Sequence, residues 1–364
     1  MAAAGMVKLA AVQVLDDGQG EMAMMRAWKR LPFGVSAVVA VIAVAVHPWF
    51  VAAVAQTASG KDNKTAWDSY KNLSSRPSTD QHLTDPALVG AIDLHAHCDP
   101  DSYPRQWDGF DVAKLAKDRG MRGVVLKNHW TETAGLAYLV RKYGTQGIEV
   151  FGGLALDTPV GGVNPQAVRY MADVVGQYGR IVWMPTHDSE HEVKYLKENR
   201  AFVSVSRDGK LLPEVLEVLS LIAQNDLTLA TGHVTPEEAL MILREAKNRG
   251  VQRMIVTHPL LGPQYTYMSI DQLTEAASLG AYMEVTAGTV FRDTPARMHA
   301  FEAIRKVGPA MTFVSSDSGL TGGPNHPDAL AMAAKELREG GFAERDLNLM
   351  FKENPARLIR LPAI

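Results

Sequence analysis

From Ala91 to the C-terminus, short apolar runs alternate with helical patterns, the signature of βαβ units around a parallel sheet. Eight runs have strand character: Ile92 to His97, Gly123 to Asn128, Glu149 to Leu156, Arg180 to Pro185, Leu227 to Gly232, Arg253 to Thr257, Ala281 to Thr286 and Met311 to Ser315. Helix-like stretches follow them, some with recognisable ends. Asp111 opens one that closes at Gly120, and Thr235-Pro236-Glu237-Glu238 starts another that ends at Gly250. Strand starts recur at even spacing except for a longer gap between the fourth and fifth. That gap holds Ala201 to Leu212, whose alternation around Arg207-Asp208-Gly209-Lys210 predicts a small hairpin inserted after strand four. Eight units predict an α/β protein of the closed (β/α)8 TIM barrel type. The alternative, a doubly wound open sheet, carries a Gly-rich phosphate turn, and no GxGxxG or GxxxxGK[ST] follows any strand. The Gly161-Gly162 pair, bounded by Pro159 and Pro165, reads as a simple turn.

The N-terminal segment follows another pattern. Between Arg30 and Lys61 there is no Asp, Glu, Lys or Arg, and Phe33 to Val46 is almost wholly apolar. With Arg26, Lys29 and Arg30 before it and Ala53-Val54-Ala55 after it, the stretch reads as a secretory signal and predicts export to the periplasm or medium. An uncleaved membrane anchor is the alternative, since Leu31 to Ala55 is long enough to span a bilayer. Met1 to Glu21 is surplus to either, which suggests a start at Met22, Met24 or Met25. The predicted organisation is therefore an extension and signal over 1–55, a polar lead-in over 56–90 with a short helix around Thr65 to Leu73, and the barrel over 91–364.

Composition narrows the partners. The 37 Lys and Arg against 40 Asp and Glu give a net charge of −3 with no long basic run, so nucleic acid is not an expected ligand. The expected partner is a small-molecule substrate, with membrane contact only through an uncleaved N-terminal segment; oligomeric state is not written in the sequence. The single Cys98 excludes an internal disulfide and any Cys-rich metal site, leaving the 11 His and the carboxylates as metal donors. Next to the strand-one histidines, Cys98 alternates away from the barrel interior and reads as a buried thiol.

In a barrel, the carboxyl ends of the strands build the site. Read in order, those ends hold Asp93, His95 and His97; Lys127 and His129; Asp157; His187 and Asp188; His233; His258; Glu284; and Asp317. Buried imidazoles and carboxylates cost several kcal/mol each unless partnered, and a divalent cation suits them all together. His95 and His97 flank Ala96, so both rings face the barrel mouth, with His233, His258 and Asp317 converging on them. Such nitrogen and oxygen donors suit Zn, and less selectively Mn, Fe, Co or Ni.

Asp93-Leu94-His95-Ala96-His97 on strand one, His233 on five, His258 on six and Asp317 on eight resemble the amidohydrolase superfamily of metal-dependent hydrolases; Glu353-Asn354-Pro355-Ala356-Arg357-Leu358-Ile359 is similar to a terminal helix often found there. The resemblance implies that His95, His97 and Asp317 bind one metal. It also implies that His233 and His258 bind a second, or divide between ligand and substrate polarisation. Binuclear members bridge their metals with a carboxylated Lys or a Glu at the end of strand four, where this chain has Trp183-Met184-Pro185-Thr186-His187. Lys127 is the substitute candidate, as a bridge or a substrate-anchoring cation; the plainer reading is a salt bridge with Asp157 or Glu284. One or two ions are therefore expected.

The chemistry expected of this set is hydrolysis of an amide, lactone or ester, with Asp317 moving the proton and His258 and Lys127 as catalytic partners. His129, His187, Asp188, Glu284 and Tyr265 are candidate substrate contacts. Glu190 and His191 either join them from loop four or belong to a solvated loop, and Gln264 to Tyr267 and Gly319 to His326 are candidate walls. Three other readings fit the pattern: a PHP-type phosphoesterase, a metal-dependent decarboxylase, and a metal-binding protein without turnover.

Overall fold

A computed structural model describes residues 80–362, except 103 and 293. The predicted signal, its anchor alternative and the helix near Thr65 lie outside the described residues. Among the described residues, no helix is long and apolar enough to cross a membrane.

The strands are β1 (Ile92–His97), β2 (Gly123–Lys127), β3 (Glu149–Ala155), β4 (Gly179–Trp183), the short pair β5 (Ser206–Arg207) and β6 (Lys210–Leu211), then β7 (Thr228–Ala230), β8 (Arg253–Val256), β9 (Ala281–Thr286) and β10 (Thr312–Ser315). All but the short pair form one parallel sheet in the order β1-β2-β3-β4-β7-β8-β9-β10. Beyond the last ladder, the Asp317 amide donates to the His95 carbonyl (3.0 Å) and the His97 amide to the Ser318 carbonyl (3.1 Å), which brings the edges of a (β/α)8 barrel together. β1 and β9 match their predicted spans. The second to sixth barrel strands end one or two residues before their predicted ends, although the Leu156, Met184 and Thr231 amides still donate to the neighbouring strands. β5 and β6 pair antiparallel across Asp208 and Gly209, both at positive φ (50° and 72°), as a two-residue turn requires.

The helices are α1 (Gly109–Asp118), α2 (Ala134–Tyr143), α3 (Pro165–Asp173), α4 (Glu190–Tyr195), α5 (Pro213–Gln224), α6 (Pro236–Asn248), α7 (Ile270–Ser278), α8 (Ala287–Phe291), α9 (Thr294–Val307), α10 (His326–Glu339), α11 (Glu344–Asn348) and α12 (Asn354–Leu358). α6 begins with the capping box foreseen at Thr235 and Glu238. α1 is capped by Asp108, with Asp111 in its first turn, so it starts earlier than Asp111 suggested. The end of the polar lead-in also packs onto the barrel. The Gln81 and Leu83 amides donate to Asp328 (2.7 and 2.9 Å), and Asp85 pairs with Arg338 (2.5 Å).

Ile92, Leu94, Val125, Phe151, Ile181, Trp183, Ile255 and Phe313 fill the barrel; full burial of such a side chain contributes roughly 1.5–3 kcal/mol. Ala356, Leu358 and Ile359 join the same cluster and seal its amino end, held by the Thr228 hydroxyl donating to the Leu358 carbonyl. The histidine-lined cavity opens at the carboxyl end. In β1, Ile92 and Leu94 belong to this inner cluster while Ala96 and Cys98 belong to the outer one. Strict alternation forbids that. A bulge between Asp93 and Ala96, three residues of β1 against two of β2, switches the face and rotates His95 and His97 inward.

Candidate metal centre

A cavity of about 260 Å³ opens at the carboxyl ends of the strands, and six imidazoles line it. They form a closed circuit. Ring centroids lie 5.0 Å apart for His95–His97, 4.8 Å for His97–His129, 4.3 Å for His129–His187, 5.4 Å for His187–His233, 4.9 Å for His233–His258 and 5.8 Å for His258–His95. Asp317 closes the set: its Oδ1 is 3.1 Å from His95 Nε2 and 3.3 Å from His97 Nε2, and those two nitrogens are 3.2 Å apart.

Buried acceptors behind the rings fix which nitrogen faces inward. His95 Nδ1 donates to Glu284 Oε1 (2.8 Å), which also accepts from Ser315 Oγ (2.7 Å), and Glu284 Oε2 accepts from the His258 amide (3.0 Å). His187 Nδ1 and His233 Nδ1 donate to the two oxygens of Glu192 (2.8 and 2.5 Å). His129 Nδ1 donates to Thr186 Oγ1 (2.7 Å), whose own proton goes to Asp157. Four rings therefore hold a proton on Nδ1 and turn Nε2 to the cavity, where it carries a lone pair whenever the ring is neutral. His258 Nδ1 has no hydrogen-bond partner among the described residues, and its Nε2 stands 3.2 Å from the His233 Nε2 lone pair, within reach to donate to it.

Burial keeps most of these rings neutral. It lowers His95, His233 and His258 to about 3, each only partly countered by a carboxylate: Asp317, Glu192 and Glu284 respectively. Burial also holds His97 and His129 well below the ordinary histidine range, helped by Arg105 and His187 respectively. At His187, burial is outweighed by Glu192 and the ring sits above that range. Burial pushes Lys127 down to about 8 against the pull of Asp317, Glu284 and Asp157.

These donors fit a divalent ion: neutral imidazoles, one carboxylate oxygen and no sulfur, spaced as ligands about 2.0–2.2 Å from a common centre would be. His187, Glu192 and His233 are also close enough to suggest an ion among them. We reject that grouping, because 2.5 and 2.8 Å are hydrogen-bond separations and leave no room for a metal between nitrogen and oxygen. Two features oppose an ion and must adjust. Arg105 donates to His97 Nδ1 (3.2 Å), so a neutral His97 keeps its proton on Nε2 until Arg105 turns toward Asp101, its 2.7 Å partner. Lys127 Nζ stands 2.9 Å from His95 Nε2 and competes for the same lone pair unless it loses its proton.

Of the expected site residues, His95, His97, Lys127, His129, His187, His233, His258, Tyr265 and Asp317 all line the cavity. Two expected substrate contacts do not. Asp188 is consumed by Thr158 and Arg200, and Glu284 lies behind His95 and His258, where it orients rings instead of meeting ligand. The plain salt bridge expected for Lys127 is absent as well: among the described residues no carboxylate lies within ion-pair distance of Nζ, which also lies 5.1 Å from the centre of the Trp183 ring. His191 turns to the Pro263 and Tyr265 carbonyls, fastening the strand-six loop. In the walls, Gln264, Gly319 and Leu320 face the cavity, whereas Thr266 is bonded to the Gly232 and Val234 carbonyls. Cys98 is buried on the outer face, its thiol pushed up to about 12 by burial.

Sequence reasoning missed Glu192, Thr186, Arg105 and Arg292. For Glu192 a signal existed, since Ser189 caps α4 through the Glu192 amide in an S-x-x-E pattern. Arg105 reaches the site because its backbone bridges to Leu320, a pairing no local pattern announces.

Comparison with solved structures gives the same barrel at low identity. An amidohydrolase from Pseudomonas aeruginosa aligns over 75% of this chain and 97% of its own, at 14% identity and a TM-score of 0.52. A probable dipeptidase from the same organism aligns over 74% and 94%, at 10% identity and a TM-score of 0.53. Likeness at this level shows an amidohydrolase-type fold. A comparison with curated proteins gives no match. A family profile described as "Family of unknown function (DUF6282)" matches residues 90–284, a span that holds all six cavity histidines and Lys127 but ends before Asp317. The chain belongs to this family of unknown function, DUF6282, carried on an amidohydrolase-type barrel.

Proposed function

We propose that this protein is an exported, metal-dependent hydrolase of small molecules, acting on an amide, lactone or ester bond. The observation that carries this reading is the closed circuit of six imidazoles, four of them with Nδ1 tied to a buried acceptor. Such a constellation is costly in a metal-free protein and is what a cation requires. His95, His97 and Asp317 would hold one ion, with zinc the best match to the donors; His233 and His258, beside His129 and His187, would hold a second. When bound, a divalent ion supplies Lewis acidity, acidifying water and polarising a carbonyl oxygen.

The chain's own groups do the rest. The Asp317 side chain is 19% exposed while those of His95 and His97 are nearly buried, so its carboxylate is the one that can exchange protons with water in the cavity. Asp317 would take a proton from the attacking water and deliver it to the leaving group. Lys127, already lowered to about 8, gives up its proton more readily than an ordinary lysine, which relieves its competition for His95 Nε2 and opens it to carboxylation as a bridge. Tyr265, packed edge-on against His233 and His258 at 4.8 and 5.1 Å, forms a wall for substrate.

The test is elemental analysis of the purified protein, followed by a panel of esters, lactones and amides with added zinc or manganese. We expect stoichiometric metal and turnover of one bond class, both lost on chelation and restored by the ion. Turnover confined to phosphate monoesters, or carbon dioxide release, would overturn the bond assignment; a fully active chelated protein would overturn the metal. Export is tested by N-terminal sequencing of the native protein, expected to begin after Ala55.

A further inference from the structure

The cavity wall is electrically lopsided. Arg105, Lys127 and Arg292 line it with a single carboxylate, Asp317, while Glu284, Glu192 and Asp157 stand behind the rings, occupied by hydrogen bonds. Arg292 differs from the other two cations. Arg105 is held by Asp101, and Lys127 is buried against His95. Arg292 follows α8 at the mouth, and among the described residues no carboxylate lies within ion-pair distance of it; its guanidinium lies 5.5 Å from the centre of the Phe291 ring. Gly288, which also lines the cavity, leaves room for that guanidinium: a Cβ built there would already be 3.4 Å from Arg292 Cζ.

We propose that the substrate carries an acidic group, a carboxylate or phosphate, which Arg292 holds at the mouth while the bond to be cleaved lies among the imidazoles. The planar guanidinium takes either oxyanion through two parallel hydrogen bonds. A cleft of one predominant sign concentrates ligands of the other, and any bound cation adds to that field. At about 260 Å³ the cavity falls below the usual range for drug-sized ligands, roughly 300–1,000 Å³, so the acid is small. This substrate class rests on the hydrolase reading of the same site, but its test does not need turnover.

The experiment is calorimetric binding of N-acetylglycine, glycerol 3-phosphate and the neutral N-acetylglycinamide to the full chain, with and without zinc. It is repeated on Arg292→Gln and Arg292→Lys, with folding checked by circular dichroism. We expect at least one acid to bind about tenfold or more tightly than the neutral amide, Arg292→Gln to remove that preference, and Arg292→Lys to restore part of it. The carboxylate and phosphate arms identify which oxyanion is preferred. Equal binding of acid and amide, no binding of either acid up to about 10 mM, or a preference untouched by Arg292→Gln and abolished by removing zinc would each overturn the proposal. Acid binding through Arg292 without hydrolysis of any panel compound would instead overturn the hydrolase reading and leave the acid subsite at Arg292 standing.

Discussion

Glu192 shows how much one side chain decides at this site. Its two oxygens accept from His187 and His233, and burial, which would raise its pKa, is more than offset by those two rings, so it stays ionised. A glutamine offers one acceptor oxygen and one donating amide, so it cannot accept from both Nδ1–H groups. Glu192→Gln should therefore weaken metal binding about 10–100-fold with the fold retained, read by competition with a chromophoric chelator; unchanged affinity would show that His187 and His233 hold no ion. Asp317 adds a second prediction. It sits at φ 48°, a left-handed conformation that asparagine also adopts readily. Asp317→Asn should keep the fold while lowering kcat by about 10²–10⁴ through loss of the proton carrier. Near-normal turnover in that variant would remove Asp317 from the chemistry.

At the scale of elements, sharp turns at the strand ends aim the cavity side chains. Gly232, between β7 and His233, has φ 67°, and a Cβ there would collide with the Met184 and Pro185 carbonyls. Gly209 in the short hairpin has a similar φ, 72°, with nothing within 4 Å of the added atom. Each alanine substitution incurs the left-handed penalty, about 1–2 kcal/mol, but only Gly232→Ala adds a clash against backbone. Urea melts should show Gly232→Ala clearly the less stable, with metal affinity lost, and Gly209→Ala unaltered in affinity. His258 shares this geometry without being glycine (φ 24°), so backbone strain coincides with a proposed site residue in the loop after β8, as it does at Asp317.

For the whole molecule, the buried rings couple folding to pH. An exposed histidine in the unfolded chain titrates near 6.5, while His95, His233 and His258 in the fold titrate at about 3. Between those values the unfolded state binds the extra protons. The stability these neutral rings allow is complete above about 6.5 and is lost as pH falls toward 3. Each ring contributes a slope of about 1.4 kcal/mol per pH unit inside that window; His187, raised by Glu192, works in the opposite sense. Metal-stripped protein should therefore melt at markedly lower urea at pH 5 than at pH 7, and saturating zinc should move its acid midpoint downward. A flat profile between those two pH values would mean that the rings are not buried as described.

The eight strands, the α6 capping box and the polar residues at the strand ends were legible in the sequence because each depends on residues close together in the chain: apolar periodicity, a cap, a turn. From the same signals, His95, His97, His233, His258 and Asp317 could be read as one constellation. Tertiary structure decided what those signals do not encode. Strand pairing introduced the β1 bulge that turns His95 and His97 inward below a face begun by Leu94. Packing placed Glu192, Glu284 and Thr186 behind the rings, and so chose which nitrogen of each faces the cavity. Packing also withdrew Asp188 into a pair with Arg200 and left Arg292 at the mouth. The physical reason is range: periodicity and caps are properties of a few consecutive residues, whereas a hydrogen bond from His95 to Glu284 or a field at a cleft is set by side chains that only the closed barrel brings together.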